Sequence, residues 1–373
     1  MERYLKSFII EDLKEKMVFV GGPRQVGKTT LALSLLKAAD ERDPAYFNYD
    51  DQKSRAAILE GRFPAHAPIV VLDELHKFKN WRNLLKGFYD TSRSYRKFLV
   101  TGSARLDFYR RGGDSLQGRY HYYRLHPLHL DEVSDMARLL VFGGFPEPYF
   151  KGNSRHWNRW QNERRVRVLQ EDLISLEQVR EVSQVDLLAS VLSDRVGSLL
   201  SVKNLAKDLG VAFETADRWI EILENLYYCF RIQPYGTKEL QTTKKERKLY
   251  MWDWSLCQTA GARFENFLAS YLLKYCHFRQ DYYGDNLQLG FLRDREQREI
   301  DFVIIKNRKI IAGIECKTNS TAISPNIKYF AKKTKIPQFF QFHQGSEDAE
   351  IMEYRTRCVP FAQVPMIFPC GMI

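Results

Sequence analysis

The chain has 373 residues, enough for two or three domains with cores of their own. Hydrophobic residues make up 44% and charged residues 28%, which excludes a disordered or low-complexity chain. Lys and Arg (57) outnumber Asp and Glu (46), and the net charge of +11 suits an anionic partner such as nucleic acid or a membrane surface, or simply makes a solvated basic surface.

The opening stretch "MERYLKSFIIEDLKEK" is charged throughout and lacks the apolar region of a signal peptide. No apolar run approaches the roughly 20 residues that span a bilayer. The six cysteines form no CxxC pair, which argues against a zinc knuckle. These features predict a soluble, reduced, cytoplasmic chain with no membrane partner.

Residues 1–150 alternate strand and helix. "MVFV" (17–20), "AYFNYDD" (45–51), "PIVVLDE" (68–74) and "KFLVTGSA" (97–104) read as strands. "TLALSLLKAAD" (30–40) and "WRNLLKGFYDTS" (81–92) have helical spacing. Apolar strands separated by helices predict a mostly parallel sheet covered on both faces.

Between the first strand and the first helix, "GPRQVGKT" matches GxxxxGK[ST] in full. Backbone N–H groups of such a loop and the following helix N-terminus hold phosphate. Gly22, Pro23, Arg24, Gln25, Val26, Gly27, Lys28, Thr29 and Thr30 are therefore the expected nucleotide contacts. Lys28 reaches the β- and γ-phosphates and Thr29 ligates Mg²⁺, so ATP and Mg²⁺ are the expected cofactors. In "IVVLDEL", Asp73 is the second Mg²⁺ ligand and Glu74 polarises the attacking water. A kinase with a small-molecule acceptor needs no such second carboxylate, so the pair favours hydrolysis. Thr101 or Ser103, ending "FLVTGSA", is placed to contact that water or the γ-phosphate, or caps a turn. Arg119 precedes the next strand and is a candidate finger reaching a neighbouring subunit's nucleotide, with Arg105, Arg110 and Arg111 as competitors.

"GPRQVGKTTL", "VVLDEL", "LVTGSA", "SLQGRYHYYRLHPLHLDE" and "GGFPEPYF" together resemble a family of prokaryotic AAA-type ATPases followed by a C-terminal domain of unknown function. The likeness covers nearly the whole chain. It implies an α/β fold: an AAA-type P-loop ATPase with a parallel sheet (1–150), a helical linker and winged helix-turn-helix (151–258), and a restriction-endonuclease-like α/β domain (259–373). The chain departs from the family at Glu171-Asp172, where Arg-Asp is often found, and any arginine role there is removed.

Within 201–236, "VKNLAKDLG" and "FETADRWIEILENL" read as two helices around a turn at Gly210. Leu205, Ala206, Leu209, Ala216, Trp219, Ile220 and Leu223 make the inward face. The outward Glu214, Thr215, Asp217 and Arg218 suit no specific base readout. Lys238, Lys244, Lys245, Arg247 and Lys248 make a basic wing for phosphate contact, unless the segment serves packing or oligomer contacts.

"REIDFVIIKNRKIIAGIECKTN" carries Asp301, Glu315 and Lys317. A hairpin over 307–309, with Lys306 facing Ile310, puts Asp301 opposite Glu315 and Lys317 on the same face. Asp301, Glu315 and the helical Glu265 are the expected ligands of a nuclease Mg²⁺, with Lys317 steadying the nucleophile. An ordinary charged hairpin accounts for the same residues. The overall expectation is an ATP hydrolase acting on nucleic acid, DNA in particular. A finger implies a homo-oligomer, such as a ring. The alternatives are a nucleotide-gated DNA-binding regulator with an inactive nuclease-like domain, and a P-loop ATPase acting on protein.

Overall fold

A computed structural model describes residues 1–102, 116–168, 182–236, 246–318 and 322–371. Ser103, Arg105, Arg110, Arg111, Glu171, Asp172, Lys238, Lys244 and Lys245 lie outside the described residues. The chain divides into two compact units, Met1–Pro127 with two short later segments, and Leu128–Glu224 with Tyr228–Cys370.

The first unit is a five-stranded parallel sheet. Its strands are β1 (Met17–Gly21), β2 (Tyr46–Asn48), β3 (Ile69–Asp73), β4 (Lys97–Thr101) and β5 (Tyr120–Arg124), in the order β2-β3-β4-β1-β5. All five residues of β1 are buried, as a strand covered on both faces requires. The helices are α1 (Lys6–Asp12), α2 (Lys28–Leu33), α3 (Gln52–Glu60) and α4 (Trp81–Ser92). Trp81 and Leu85 of α4 pack with Phe19, Val70, Leu72 and Phe98 in the core. The expected helix over 30–40 is shorter than its spacing suggested, because Ser34 bonds back to the Leu31 carbonyl at 2.7 Å and the helix ends there. From β1 the chain crosses to the far edge, returns through β3 and β4, and then adds β5 on the other side. That reversal of strand order opens a crevice at the carboxyl ends of β1, β3 and β4.

The second unit opens with α5 (Met136–Phe142), α6 (Pro146–Lys151), α7 (Ser154–Val166) and α8 (Val182–Leu192), then α9 (Val202–Leu209) and α10 (Phe213–Asn225) around Gly210. It continues with an eight-stranded sheet: β6 (Cys229–Pro234), β7 (Lys248–Met251), β8 (Leu287–Arg293), β9 (Glu299–Lys306), β10 (Lys309–Cys316), β11 (Phe339–His343), β12 (Ala349–Ile351) and β13 (Thr356–Pro360). The strand order is β12-β13-β11-β10-β9-β8-β6-β7. The 24-residue α11 (Ala260–Tyr283) and α12 (Pro325–Lys333) pack against it. Buried Lys274 ties α11 to the buried carboxylates of Asp131 and Glu132, each at 2.8 Å.

The antiparallel pair β6–β7, expected as a wing separate from the C-terminal core, is an edge of that core's sheet. Parallel pairing of Gln233 with Gly290 makes the join.

Candidate functional site

The loop after β1 is shaped by positive backbone φ at Gly22 (140°), Gln25 (62°) and Gly27 (95°). A Cβ at Gly22 would collide with the Leu125 carbonyl, so no other residue fits that approach. Gly27 caps α2, and Lys28 opens it. The Lys28 ammonium is buried and donates to the loop carbonyls of Gly22 (3.0 Å) and Pro23 (2.7 Å). Arg3 braces the loop from the N-terminal segment, donating to the Val26 carbonyl at 2.6 Å and to that of His126.

Parallel register sets the rest of the crevice. Asn48, Asp73 and Thr101 stand side by side across β2, β3 and β4. Asp73 is buried and accepts three side-chain hydrogen bonds: Thr29 at 2.7 Å and Tyr46 at 2.9 Å on Oδ2, and Thr101 at 2.5 Å on Oδ1. Burial, and then the Asp73 charge, push the Tyr46 phenol well above its ordinary range. Glu74 follows in the left-handed region, φ 56°, its amide bonded to the Thr101 carbonyl at 3.0 Å. Holding a glutamate there costs backbone strain of order 1–3 kcal/mol. Burial raises the Glu74 carboxyl above its ordinary value, with Lys28 opposing, and His76 and Lys77 lie 3.6 and 3.5 Å away. The donor set fits a nucleotide's phosphates and a hard cation: loop N–H groups and an ammonium on one side, a hydroxyl and a carboxylate on the other.

Arg119 donates to both carboxylate oxygens of Asp90, at 2.9 and 3.3 Å. Tyr46 and Arg3 carried no sequence signal. Each reaches its partner through tertiary placement, across 27 and 23 residues of chain.

The second unit gathers a carboxyl cluster on the β7–β9–β10 face. The hairpin turns on Asn307 and Arg308, both in the left-handed region, and pairs Lys306 with Lys309 rather than with Ile310. A bulge between Ile310 and Ala312 then shifts the register, so that Phe302 faces Ile314 and Asp301 comes level with Glu315. Lys317 lies 3.1 Å from Glu315 Oε2. Glu265 on α11 accepts from the Tyr250 hydroxyl at 2.8 Å and is backed by Gly197, where any side chain would press on the carboxylate.

Lys248 overturns its assignment to the basic wing. Its side chain is 2% exposed, and its ammonium sits 2.5 Å from Glu299, 3.7 Å from Glu265 and 4.0 Å from Asp301. An enclosed ammonium cannot contact a nucleic-acid backbone. Burial pulls its pKa down, but those three carboxylates outweigh burial and raise it. The expected Mg²⁺ ligands Glu265 and Asp301 both lie within 4.0 Å of the Lys248 ammonium, with Glu315 level with Asp301. Among the described residues no three His, Cys, Asp or Glu groups meet in a way that holds a metal ion. Lys248 stands among the carboxylates, and the Cys316 N–H occupies Asp301 Oδ2 at 2.9 Å. Burial, followed by the charge of Asp301, pushes Glu265 up to about 7 and Glu315 up to about 8. Glu299 was missed, although it lies two residues before Asp301 on one strand face.

A parallel α/β unit with this loop and crevice defines a P-loop nucleotide-binding domain. In agreement, residues 14–134 match an AAA domain, so the first unit carries an AAA-type P-loop domain. Residues 133–266 and 260–364 match two domains of unknown function (DUF8612 and DUF4143). An uncharacterized protein of Mycobacterium tuberculosis is 25% identical over 244 residues, 64% of this chain and 55% of that protein. One of Methanocaldococcus jannaschii is 22% identical over 292 residues, covering 64% and 61%. The chain therefore spans little more than half the length of the curated relatives it matches. Among solved structures, the Aeropyrum pernix ORC1 protein in complex with DNA aligns with a TM-score of 0.34 at 14% identity, over 72% of this chain and 92% of that one. The Thermotoga maritima RuvB Holliday junction branch migration motor aligns at 0.29 and 17%, over 61% and 87%. Scores of this size bear on neither fold nor function. Among the described residues no helix is long and apolar enough to cross a membrane.

Proposed function

We propose that the chain is a Mg²⁺-dependent ATP hydrolase that acts on DNA. The observation that carries the reading is the meeting of Thr29, Asp73, Thr101 and Glu74 at the carboxyl ends of parallel strands, beside the loop Gly22–Thr29. The loop amides and Lys28 would hold the β- and γ-phosphates, and Thr29 and Asp73 would hold Mg²⁺, which supplies neutralising charge. Thr101 fixes the Asp73 carboxylate through Oδ1. Glu74 would orient a water for attack and take its proton, a role served by its raised carboxyl pKa. Arg119 would serve a neighbouring subunit in a ring-like homo-oligomer. Its pairing with Asp90 is partly exposed and screened by solvent, so it is easily exchanged.

The DNA part rests on the net charge of +11 and on the α9–Gly210–α10 helix pair followed by a basic segment, which we read as a winged helix-turn-helix. For the sheet of the second unit, which we read as restriction-endonuclease-like, the placement of Lys248 favours a DNA-gripping part over a cutting one. That supports the second reading, a nucleotide-gated DNA-binding switch.

The test is ATP turnover in two variants. Lys28→Ala should lose nucleotide binding and turnover together. Glu74→Gln should keep binding while kcat drops by about 10²–10⁴-fold. Unchanged turnover in Lys28→Ala overturns the site. The full chain, given linear, circular and branched DNA with Mg²⁺ or Mn²⁺ beside Asp301→Ala, separates cutting from gripping.

A further inference from the structure

Three carboxylates of the second unit turn an oxygen toward one atom. Glu299 Oε1, Glu265 Oε1 and Asp301 Oδ1 all face Lys248 Nζ. Their other contacts are also protein donors. Arg293 takes Glu299 Oε2 at 3.1 Å, Tyr250 shares Glu265 Oε1, and the Cys316 N–H takes Asp301 Oδ2. Glu315 differs. It is 1% exposed, Lys317 engages its Oε2, and its Oε1 has no hydrogen-bond partner. An enclosed carboxyl beside Asp301 thus carries an unused ligand atom.

We propose that the Lys248 ammonium takes the place of a divalent cation in this cluster, which becomes a metal site only when that ammonium is removed. Burying an ion costs several kcal/mol, and only close opposite charges with good geometry offset it. Lys248 has them, and its backbone is fixed by pairing with Ile232 in β6 and by a bridge to Leu199. A divalent ion would need about six oxygens at 2.0–2.6 Å. It would have to expel the ammonium, because the Glu299, Glu265 and Asp301 oxygens it needs all face that atom. Without Lys248, the Glu265, Glu299 and Asp301 oxygens lose their shared cation, and Glu315 Oε1 supplies a further ligand. The inference concerns the second unit alone and stands whether or not the P-loop hydrolyses ATP.

The test is Mn²⁺ titration of the full chain, read by the electron-spin resonance of free Mn²⁺. Asp73→Ala is present throughout, so that the P-loop site contributes nothing. This parent and its Lys248→Arg derivative should show no saturable binding at submillimolar Mn²⁺. Lys248→Met should gain one site, binding at least about tenfold tighter, and should lose it again when Asp301→Asn is added. Submillimolar binding by the parent that disappears with Asp301→Asn overturns the proposal. So does a cooperatively melting Lys248→Met that gains no site. If Lys248→Met does not fold, the parent and Lys248→Arg titrations decide.

Discussion

Glu315 shows how one enclosed carboxyl links sheet register to solution behaviour. Burial first, and then the charge of Asp301, move it from its ordinary 4.5 up to about 8. In the unfolded chain it ionises near 4.5, whereas in the folded chain it keeps its proton to about 8. Between those values the folded state binds more protons, so stability falls as pH rises. The slope is at most about 1.4 kcal/mol per pH unit for one group. The contribution is fully present below pH 4.5 and gone above about 8. Glu315→Gln removes it while keeping a polar amide in place. The thermal midpoint of the variant relative to the unsubstituted chain should therefore climb steadily from pH 5 to pH 8. A difference that stays flat across that range would show that Glu315 titrates as an ordinary carboxyl. At this scale the sequence marked Lys28, Thr29, Asp73 and Glu74, because a phosphate loop and its partner strand are written in contiguous residues. It could not mark Tyr46 or Arg3, whose partners come from remote strands and loops.

Among the elements, the hairpin β9–β10 places the second cluster by a route other than the expected one. A three-residue turn was expected to set Asp301 opposite Glu315. The chain instead uses a two-residue turn and restores the alignment with a bulge at Ile311, an exposed residue. Deleting Ile311 converts the bulge into regular pairing and leaves Asp301 level with Glu315. Circular-dichroism melting should show a cooperative transition within about 1 kcal/mol of the unsubstituted chain. Deleting Ile304 slips β9 by one residue and turns Asp301 to the other face, and it should abolish that transition. Equal damage from both deletions would refute the register argument. The apolar strands β1, β3 and β4 and the helix α4 were legible because burial on both faces, or a helical stripe, is a local pattern. The pairing of β6 with β8 was not, because it joins Gln233 to Gly290 across a long helix. Missing that join is what put Lys248 on a wing instead of among carboxylates.

For the whole molecule, an excess of 11 positive charges says that an anionic partner is favoured but not which lysines meet it. The placement of Lys248 now divides the five residues once grouped as a phosphate-contacting wing. Each phosphate neutralised contributes about −0.9 to the slope of log affinity against log salt on duplex DNA. If the basic segment grips DNA, the combined change Lys238→Ala, Lys244→Ala and Lys245→Ala should flatten that slope by about 2–3. Lys248→Met should leave the slope unchanged, because a side chain 2% exposed among Glu265, Glu299 and Asp301 releases no counterion from DNA. Fluorescence anisotropy of a labelled duplex across a salt series measures both. A slope lowered by Lys248→Met in a cooperatively melting protein would return Lys248 to the nucleic-acid surface. No salt-sensitive affinity in the unsubstituted chain would overturn the DNA part of the proposal and favour the alternative of a P-loop ATPase acting on protein. A slope lowered by the triple variant alone would assign phosphate contacts to those three lysines and would leave Lys248 an internal partner of the carboxyl cluster.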